Sequence, residues 1–449
     1  MLSKAKELYL AARDHAGFQR YFKNTSWLFG GQMFRMVLAL FVSIAVARYL
    51  GPEDFGLYSY VMSVVALFSV LGRLGLRDLA RRELVVSPEQ RNEILGTCFM
   101  LNLTAGVFIY GAMIWIVSVK MDSSMTIGLF ALLGCPLLLT PLSDIKIWFQ
   151  SQVRSDLSVL ASSISLAIFA ILKVVAIVQG AGLIVFGYLF LFESLSLCLL
   201  HIYFYQKNFG SIFQWQVHRN TAFVFLRQSW PLILSGFAVV VYMKMDQIML
   251  EAMHGHEAVG QYSVAVRISS AWHFIPMMLA SSLFPAILNA RKNSQKLYEK
   301  RLQNFFDLNA VLAYLIAISL SIAAPWMIQI LFGEAYRDAG PILSIHAWSC
   351  LFVFLGVVRG QYLVAEKLFK FATCCTIAGA IVNLSLNYVL IPGYSGYGAA
   401  IATLISYAVS AFLSSYFIKG RKLMLRQQVC ALLVPLKVFK YIKDREFKN

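Results

Sequence analysis

Long apolar segments recur along the whole chain, separated by short polar stretches. Each segment is long enough to cross a hydrocarbon core of about 30 Å as an α-helix. A soluble domain cannot bury so many apolar runs of about 20 residues, so the pattern predicts an all-α polytopic membrane protein. We place twelve transmembrane helices at 25–48, 55–74, 94–119, 124–143, 157–178, 182–205, 229–251, 259–287, 307–333, 340–365, 370–392 and 396–418.

Positively charged residues concentrate in alternate loops. With the N-terminus placed in the cytoplasm, about 30 of the 39 Lys and Arg residues lie on that side of the membrane. The opposite loops carry Lys120 and Arg337, and Arg48 lies at a border. The positive-inside rule therefore predicts cytoplasmic N- and C-termini. The same distribution explains most of the net charge of +17 as topology determinants near anionic lipid, without a nucleic-acid partner.

A short motif occurs twice, each time in the turn that starts a new helix. Gly51–Ser59 follows the first predicted helix, and Gly255–Ser263 follows the seventh. Gly, Glu, Gly, Tyr and Ser match at a constant offset of 204 residues. Equivalent positions with the same in-out sense predict two six-helix halves related by an axis along the membrane normal.

The repeat and the polar stretch after the sixth helix define the domain organisation that we expect. The predicted parts are a cytoplasmic N-terminal segment at 1–24, an N-lobe with helices 1–6 at 25–205, a cytoplasmic linker at 206–228, a C-lobe with helices 7–12 at 229–418, and a basic cytoplasmic tail at 419–449.

A few ionisable residues remain inside the apolar segments. They are Arg35, Lys173, Glu193, Lys244, Asp246, Arg267 and Arg359. Each costs about 2.5–3.5 kcal/mol at a helix centre, so we expect them to face a hydrated cavity between the two halves. Lys173 and Arg359 lie nearer to segment ends, where snorkelling to the interface is an equal alternative. The surplus of cations favours an anionic ligand, and the Arg guanidinium matches phosphate geometry.

The predicted substrate-binding residues are therefore Arg35, Lys173, Lys244, Asp246, Arg267 and Arg359. Asp246 and Lys244 point to different faces of one helix. We expect Asp246 to pair with a cation on another helix, such as Arg267, in a pair that breaks and re-forms between inward and outward states. A permanent structural pair is the alternative.

Two further polar patterns each allow two interpretations. Arg73, Arg77 and Arg81 follow i, i+4 spacing at the inner end of the second helix. They either anchor this end by the positive-inside rule or gather an anionic headgroup there. Asn383 and Asn387 share the same spacing in an apolar helix, where they either join helices by hydrogen bonds or line the cavity.

Signatures of enzymes and metal sites are missing from the sequence. It contains no GxxxxGK[ST] phosphate loop, no GxSxG elbow and no HExxH motif. The seven cysteines form no CxxC pair, and His273 and His346 have no carboxylate or cysteine cluster nearby in sequence. We therefore predict neither catalysis nor a metal or cofactor.

Several stretches resemble polysaccharide-unit flippases of the Wzx type, in the multidrug/oligosaccharidyl-lipid/polysaccharide (MOP) exporter superfamily. The resemblance lies in 26–84, above all in Ala47–Tyr58, and in Met245–Leu250 followed by Val259–Ser263. It implies a V-shaped, MATE/MOP-like fold of two lobes around a central cavity. It also implies charged residues on the first, seventh and eighth helices, where Arg35, Asp246 and Arg267 occupy comparable positions.

The resemblance implies that the chain moves an undecaprenyl-diphosphate-linked oligosaccharide across the bacterial inner membrane for O-antigen, capsule or exopolysaccharide synthesis. H+ or Na+ as the coupling ion, and a glycan polymerase and chain-length regulator as partners, are further expectations. An ion-coupled drug or metabolite exporter is the alternative, but it favours an acidic cavity. A membrane-embedded glycan polymerase needs long outside loops, and here these loops are short.

Overall fold

The computed structural model describes residues 16–417 and 421–435, and no β-strand occurs among them. The predicted N-terminal segment and basic tail therefore lie partly outside the described residues. We number the helices α1 (Ala16–Gly72), α2 (Leu76–Val86), α3 (Arg91–Lys120), α4 (Ser124–Gly134), α5 (Pro136–Ser143), α6 (Ile145–Ser151), α7 (Ser155–Val178), α8 (Leu183–Phe209), α9 (Arg219–Ser270), α10 (Phe274–Asn293), α11 (Gln295–Phe332), α12 (Ala339–His346), α13 (Ser349–Ala365), α14 (Phe369–Ala411) and α15 (Arg421–Leu432).

Nine helical stretches in the described part of the chain are long and apolar enough to cross a membrane. Three of them are interrupted by one residue with a non-helical backbone, at Gly51 in α1, Gly255 in α9 and Ser395 in α14. Each interruption coincides with a turn predicted between two apolar segments. Division at these residues is consistent with the twelve predicted helices, and the all-α polytopic class is confirmed.

The internal repeat is present in the backbone as well as in the sequence. Gly51 has φ 76° and ψ 172°, and Gly255, 204 residues later, has φ 78° and ψ −174°. A positive φ with an extended ψ is accessible to glycine at little cost. The two glycines therefore make the same turn at equivalent points of the chain.

Two further turns share one backbone geometry. Val153 and Lys367 have left-handed φ angles of 56° and 57°. The amide of the next residue bonds five residues back in both turns, from Arg154 to the Phe149 carbonyl and from Leu368 to the Leu363 carbonyl, at 2.8 Å each. This is the Schellman pattern that ends a helix. Among the described residues, this helix ending occurs after α6 and after α13, and again after α7, where Gly180 has φ 70° and the amide of Ala181 donates to the Ala176 carbonyl at 3.0 Å.

The two copies of the motif pack against each other at reciprocal positions. A Cβ atom built at Gly56 would lie 2.6 Å from the carbonyl carbon of His256, and one built at Gly260 would lie 2.8 Å from that of Pro52. The sixth residue of each copy therefore meets the second residue of the other. Only glycine lets two backbones approach this closely.

The chain divides into two compact units. The first unit consists of Met1–Tyr49 and Val64–Phe237, and the second consists of Leu50–Ser63 and Ala238–Asn449. The first copy of the motif therefore packs within the second unit. In the first unit, the predicted linker is held against α3 by bonds from the amides of Gln216 and His218 to the Asn92 carbonyl (3.0 Å) and the Thr97 hydroxyl (3.1 Å). The predicted lobe boundaries remain a prediction.

The stretch expected to be a basic tail contains a helix that the sequence pattern did not reveal. Met424 and Ala431 of α15 are fully buried in the core of the second unit, in one cluster with Phe306 and Phe354. The hydroxyl of Tyr314 donates to the carbonyl of Leu432 at 2.9 Å. α15 is therefore part of the packed structure.

Candidate functional site

Asp246 is the most enclosed charged residue of the predicted site. It lies in α9 before the turn at Gly255, and 3% of its surface is exposed. The hydroxyl of Tyr262, from the part of α9 after the turn, donates to one carboxylate oxygen, and the amide of Gln247 donates to the other at 2.8 Å. The Tyr262 oxygen lies 3.3 Å from the hydroxyl of Thr403. Hydroxyl and amide groups thus surround the carboxylate.

Arg267 occupies a different environment on the same helix. In the stretch 259–269, nine of the eleven residues are buried, Val266 is half-buried and Arg267 is exposed. Its guanidinium carbon lies 5.5 Å from the ring centroid of Phe55, and Tyr58 is close enough to act on its charge. This largely buried stretch of α9 therefore contains one exposed cation. The predicted ion pair between Asp246 and Arg267 remains a prediction.

Lys244 completes a group of three predicted residues in the second unit. Its side chain is half-buried, and the charges of Asp246 and Arg267 both act on it. The structure therefore brings together Lys244, Asp246 and Arg267, with two cations and one carboxylate. The net positive charge of this group is of the sign expected for an anionic ligand.

A buried polar network continues from Asp246 through Thr403. The Asn383 amide nitrogen is 3.5 Å from the Thr403 hydroxyl and 3.3 Å from the Ser406 hydroxyl, and the Asn387 amide donates to Asn383 Oδ1 at 3.1 Å. The Oδ1 atom of Asn387 is buried without a hydrogen-bond partner among the described residues. These contacts favour interhelical hydrogen bonding, the first of the two predicted roles for the asparagines.

The other predicted residues in the membrane segments have their own partners. Arg35, in the first unit, is half-buried and donates to the side chain of Gln32 at 2.7 Å. Lys173 forms an ion pair of 2.6 Å with Glu193, which joins α7 to α8, and 15% and 22% of the two side chains are exposed. The positive charge of Lys173 is thus balanced within the first unit.

Arg359 is 5% exposed, in contrast to Arg267. Its two terminal nitrogens donate to the Ser410 carbonyl at 2.7 Å and to the Cys375 sulfur at 2.9 Å, and its guanidinium carbon lies 5.7 Å from the Phe371 ring centroid. These contacts join α13 to α14 in the second unit. The predicted contact of Arg359 with a substrate remains a prediction.

Sequence reasoning missed the polar residues that enclose Asp246. Tyr262, Thr403 and Gln247 are all buried, and Gln247 accepts a bond from Ser63 of the second unit. The sequence repeat could have pointed to Tyr262, because it is the repeat equivalent of Tyr58. Tyr262 bonds to Asp246 and Tyr58 interacts with Arg267, and both charged residues lie in α9. Thr403, in the last part of α14, has no comparable signal.

Two of the proteins similar in sequence to this chain carry names that refer to glycan or capsule biosynthesis. The probable low-salt glycan biosynthesis flippase Agl15 of Haloferax volcanii is 25% identical over 189 residues, which cover 42% of this chain and 40% of that protein. The capsular polysaccharide biosynthesis protein CapF of Staphylococcus aureus is 21% identical over 412 residues, 88% of this chain and 99% of that protein.

The solved structure of the lipid II flippase MurJ in an inward closed conformation superposes with a TM-score of 0.71 at 15% identity, over 93% of this chain and 99% of that one. This likeness confirms the fold class. A family model described as MatE matches residues 231–389, and one described as polysaccharide biosynthesis protein matches residues 21–291. The resemblance expected from the sequence is therefore confirmed, and the chain belongs to the polysaccharide biosynthesis protein family.

Proposed function

We propose that the chain is a flippase for a lipid-linked oligosaccharide, with undecaprenyl diphosphate as the lipid, in the bacterial inner membrane. The observation that carries the proposal is the exposed cation Arg267 in the largely buried stretch 259–269 of α9, close enough to Lys244 for the two charges to interact. A cation kept at this position inside an apolar segment is costly unless it is hydrated or bound to an anion. The flippase names of Agl15 and MurJ support the same class of substrate.

The proposed roles follow from the environment of each residue. Arg267 and Lys244 of the second unit hold the diphosphate, and Arg35 is a separate proposed substrate-binding residue of the first unit, because none of these three is enclosed as Arg359 is. Guanidinium groups bind phosphate oxygens through paired hydrogen bonds, whereas the ammonium adds a point charge. Lys173 and Arg359 stabilise helix packing through the contacts described above. The sugars occupy a hydrated path, and the polyprenyl chain stays in lipid.

We further propose that Asp246 binds the coupling ion, H+ or Na+. A buried carboxylate needs a proton, a cation or several hydrogen bonds to offset its desolvation. The oxygens of Tyr262 and Thr403 near Asp246 are ligands of the type that hard cations prefer. An ion gradient supplies about 2.3 kcal/mol per charge for each 100 mV of membrane potential.

The proposed membrane orientation has both termini in the cytoplasm, as the loop charges predict. A glycan polymerase and a chain-length regulator are the proposed partners, since they would consume the unit delivered to the outer leaflet. The drug-exporter alternative has weaker support, because the surplus charge around Lys244 and Arg267 is positive.

Replacement of Arg267 in the native strain tests the function. R267E should abolish surface glycan and leave lipid-linked units in the cytoplasmic leaflet, while the protein still inserts into the membrane. R82E is the matched control, because Arg82 lies in α2 with 64% of its side chain exposed and pairs locally with Glu83. Normal surface glycan in R267E at normal protein abundance would contradict the proposal. A deletion strain with normal glycan but greater sensitivity to toxic compounds would favour the exporter instead.

A further inference from the structure

A second group of cations lies in the first unit, away from Lys244, Asp246 and Arg267 in the sequence. Arg73 follows the last residue of α1, at a turn where Leu74 and Gly75 have φ angles of 48° and 62°. Arg77 lies in the first turn of α2, which follows. Lys146 lies in the first turn of α6. The break between α1 and α2 thus places two arginines near the start of a helix from a different part of the chain.

These three cations share one carboxylate. Asp144, between α5 and α6, is 8% exposed and accepts a hydrogen bond from the Asn102 amide at 3.0 Å. The charges of Arg77, Lys146 and Arg73 act on it, with that of Arg77 strongest. One terminal nitrogen of Arg77 lies 3.7 Å from Asp144 Oδ1, which is too long for a hydrogen bond.

The group carries more positive charge than its carboxylate balances. Three cations oppose one anion, and Oδ1 of Asp144 accepts no hydrogen bond from the part of the chain that the structure describes. Arg73 and Arg77 also repel each other, as do Arg77 and Lys146. Side chains that converge with a surplus of like charge in a partly buried place are stabilised by a bound anion.

Other arginines of the same helix behave differently. Arg81 pairs with Asp78, and Arg82 pairs with Glu83, so each of these arginines has a carboxylate partner on its own helix, and 44% and 64% of the two arginine side chains are exposed. Such local pairs suit residues that only mark the cytoplasmic side of a membrane protein. Arg77 instead points toward a buried carboxylate of another segment, so the headgroup alternative fits Arg73 and Arg77 better than it fits Arg81.

We propose that Arg73, Arg77 and Lys146 form a binding site for a phosphate ester, which replaces Asp144 as the partner of Arg77. Asp144 then acts as an internal counter-ion that holds Arg77 while the site is empty. Arg73 directly follows Gly30–Gly72, a stretch long and apolar enough to cross a membrane, so we expect it near the lipid headgroups. The ligand that we infer is the diphosphate of a lipid-linked substrate at the side predicted to be cytoplasmic, and this identification rests on the proposed function.

The test is diphosphate binding by the full chain in phosphatidylcholine nanodiscs, with inorganic diphosphate and undecaprenyl diphosphate as the two probes. R77Q and K146Q should each weaken binding of the lipid probe about tenfold, since each removes a charge-assisted contact. D144N should strengthen binding by a similar factor, because it removes the competing anion. R82Q, which deletes the same charge from the surface of α2, should change binding less than about twofold.

The direction of the D144N effect separates a ligand site from a purely structural cluster. Unchanged or weaker binding in folded D144N would overturn the proposal. If D144N does not fold, equal binding by R77Q, K146Q and R82Q would overturn it. Inorganic diphosphate that binds as tightly as the lipid probe would overturn the lipid source. Because this measurement involves no transport, it can succeed where the R267E glycan test fails, and the two failures are therefore distinguishable.

Discussion

The carbonyl carbon of Pro52 lies 2.8 Å from the place where a Cβ atom of Gly260 would be, so the two backbones are in direct contact. Gly56 meets His256 in the same way, and both contacts lie within the second unit. The two copies of the repeated motif therefore serve as each other's packing surface.

Replacement of Gly260 by alanine tests this contact. G260A must move two helices apart, so we expect the free energy of unfolding to fall by about 1–3 kcal/mol or more. G360A is the control, because no atom lies within 4 Å of a Cβ at Gly360 in α13, and alanine there should stabilise the helix by about 0.5–1 kcal/mol. Thermal unfolding of purified protein measures both, and equal transition temperatures for the two variants would contradict the packing argument.

The ion pair between Lys173 and Glu193 predicts a rescue by charge exchange. K173Q and E193Q should each destabilise the first unit, because each leaves a half-buried charge without its partner. The exchanged double variant K173E/E193K should recover much of the lost stability. A double-mutant cycle on unfolding should give a coupling energy of about 1–3 kcal/mol. A coupling energy near zero would show that Lys173 is available for another role.

Arg359 should affect stability rather than transport. R359A removes the contacts to Ser410, Cys375 and Phe371 and leaves a cavity, so we expect a loss of about 2–4 kcal/mol. Surface glycan, normalised to the amount of folded protein in the membrane, should stay near the wild-type level. Full stability with lost glycan would instead restore Arg359 to the substrate-binding residues.

Asp246 should determine how transport depends on an ion gradient. D246N keeps the shape of the side chain but removes its charge, so transport in proteoliposomes should no longer respond to an imposed Na+ or pH gradient. Na+ that raises the unfolding temperature of the wild type but not of D246N would identify Na+ as the ion. Y262F, which removes the hydroxyl donor to Asp246, should weaken the response without abolishing it. An unchanged gradient response in D246N would contradict the assignment.

Most of the helical architecture follows from the local sequence pattern. A single segment of about 20 apolar residues in lipid can satisfy its backbone hydrogen bonds internally by forming an α-helix. The turn at Gly51 and its repeat at Gly255 were also predictable, since both lie between apolar runs. α15 was not, because its mixed polar sequence resembles a solvated tail until its packing against α11 is known.

The candidate site was predictable in part. Lys244, Asp246 and Arg267 stand out because charges are rare in apolar segments, and the structure brings them together. Sequence pattern could not separate them from Arg359, whose partners Cys375 and Ser410 lie 16 and 51 residues away. Pairings over such distances depend on how helices pack and leave no periodic signal.

The order of synthesis gives the Gly56–His256 contact a further consequence. The ribosome makes Leu50–Ser63 early, but the surface that this segment packs against appears only about 200 residues later. The core that surrounds Phe306 is likewise incomplete until Ala431 has been added. The first unit can therefore fold while the chain is growing. The second unit can complete its packing only after Ala431 has been made, and until then part of its apolar helix surface stays uncovered.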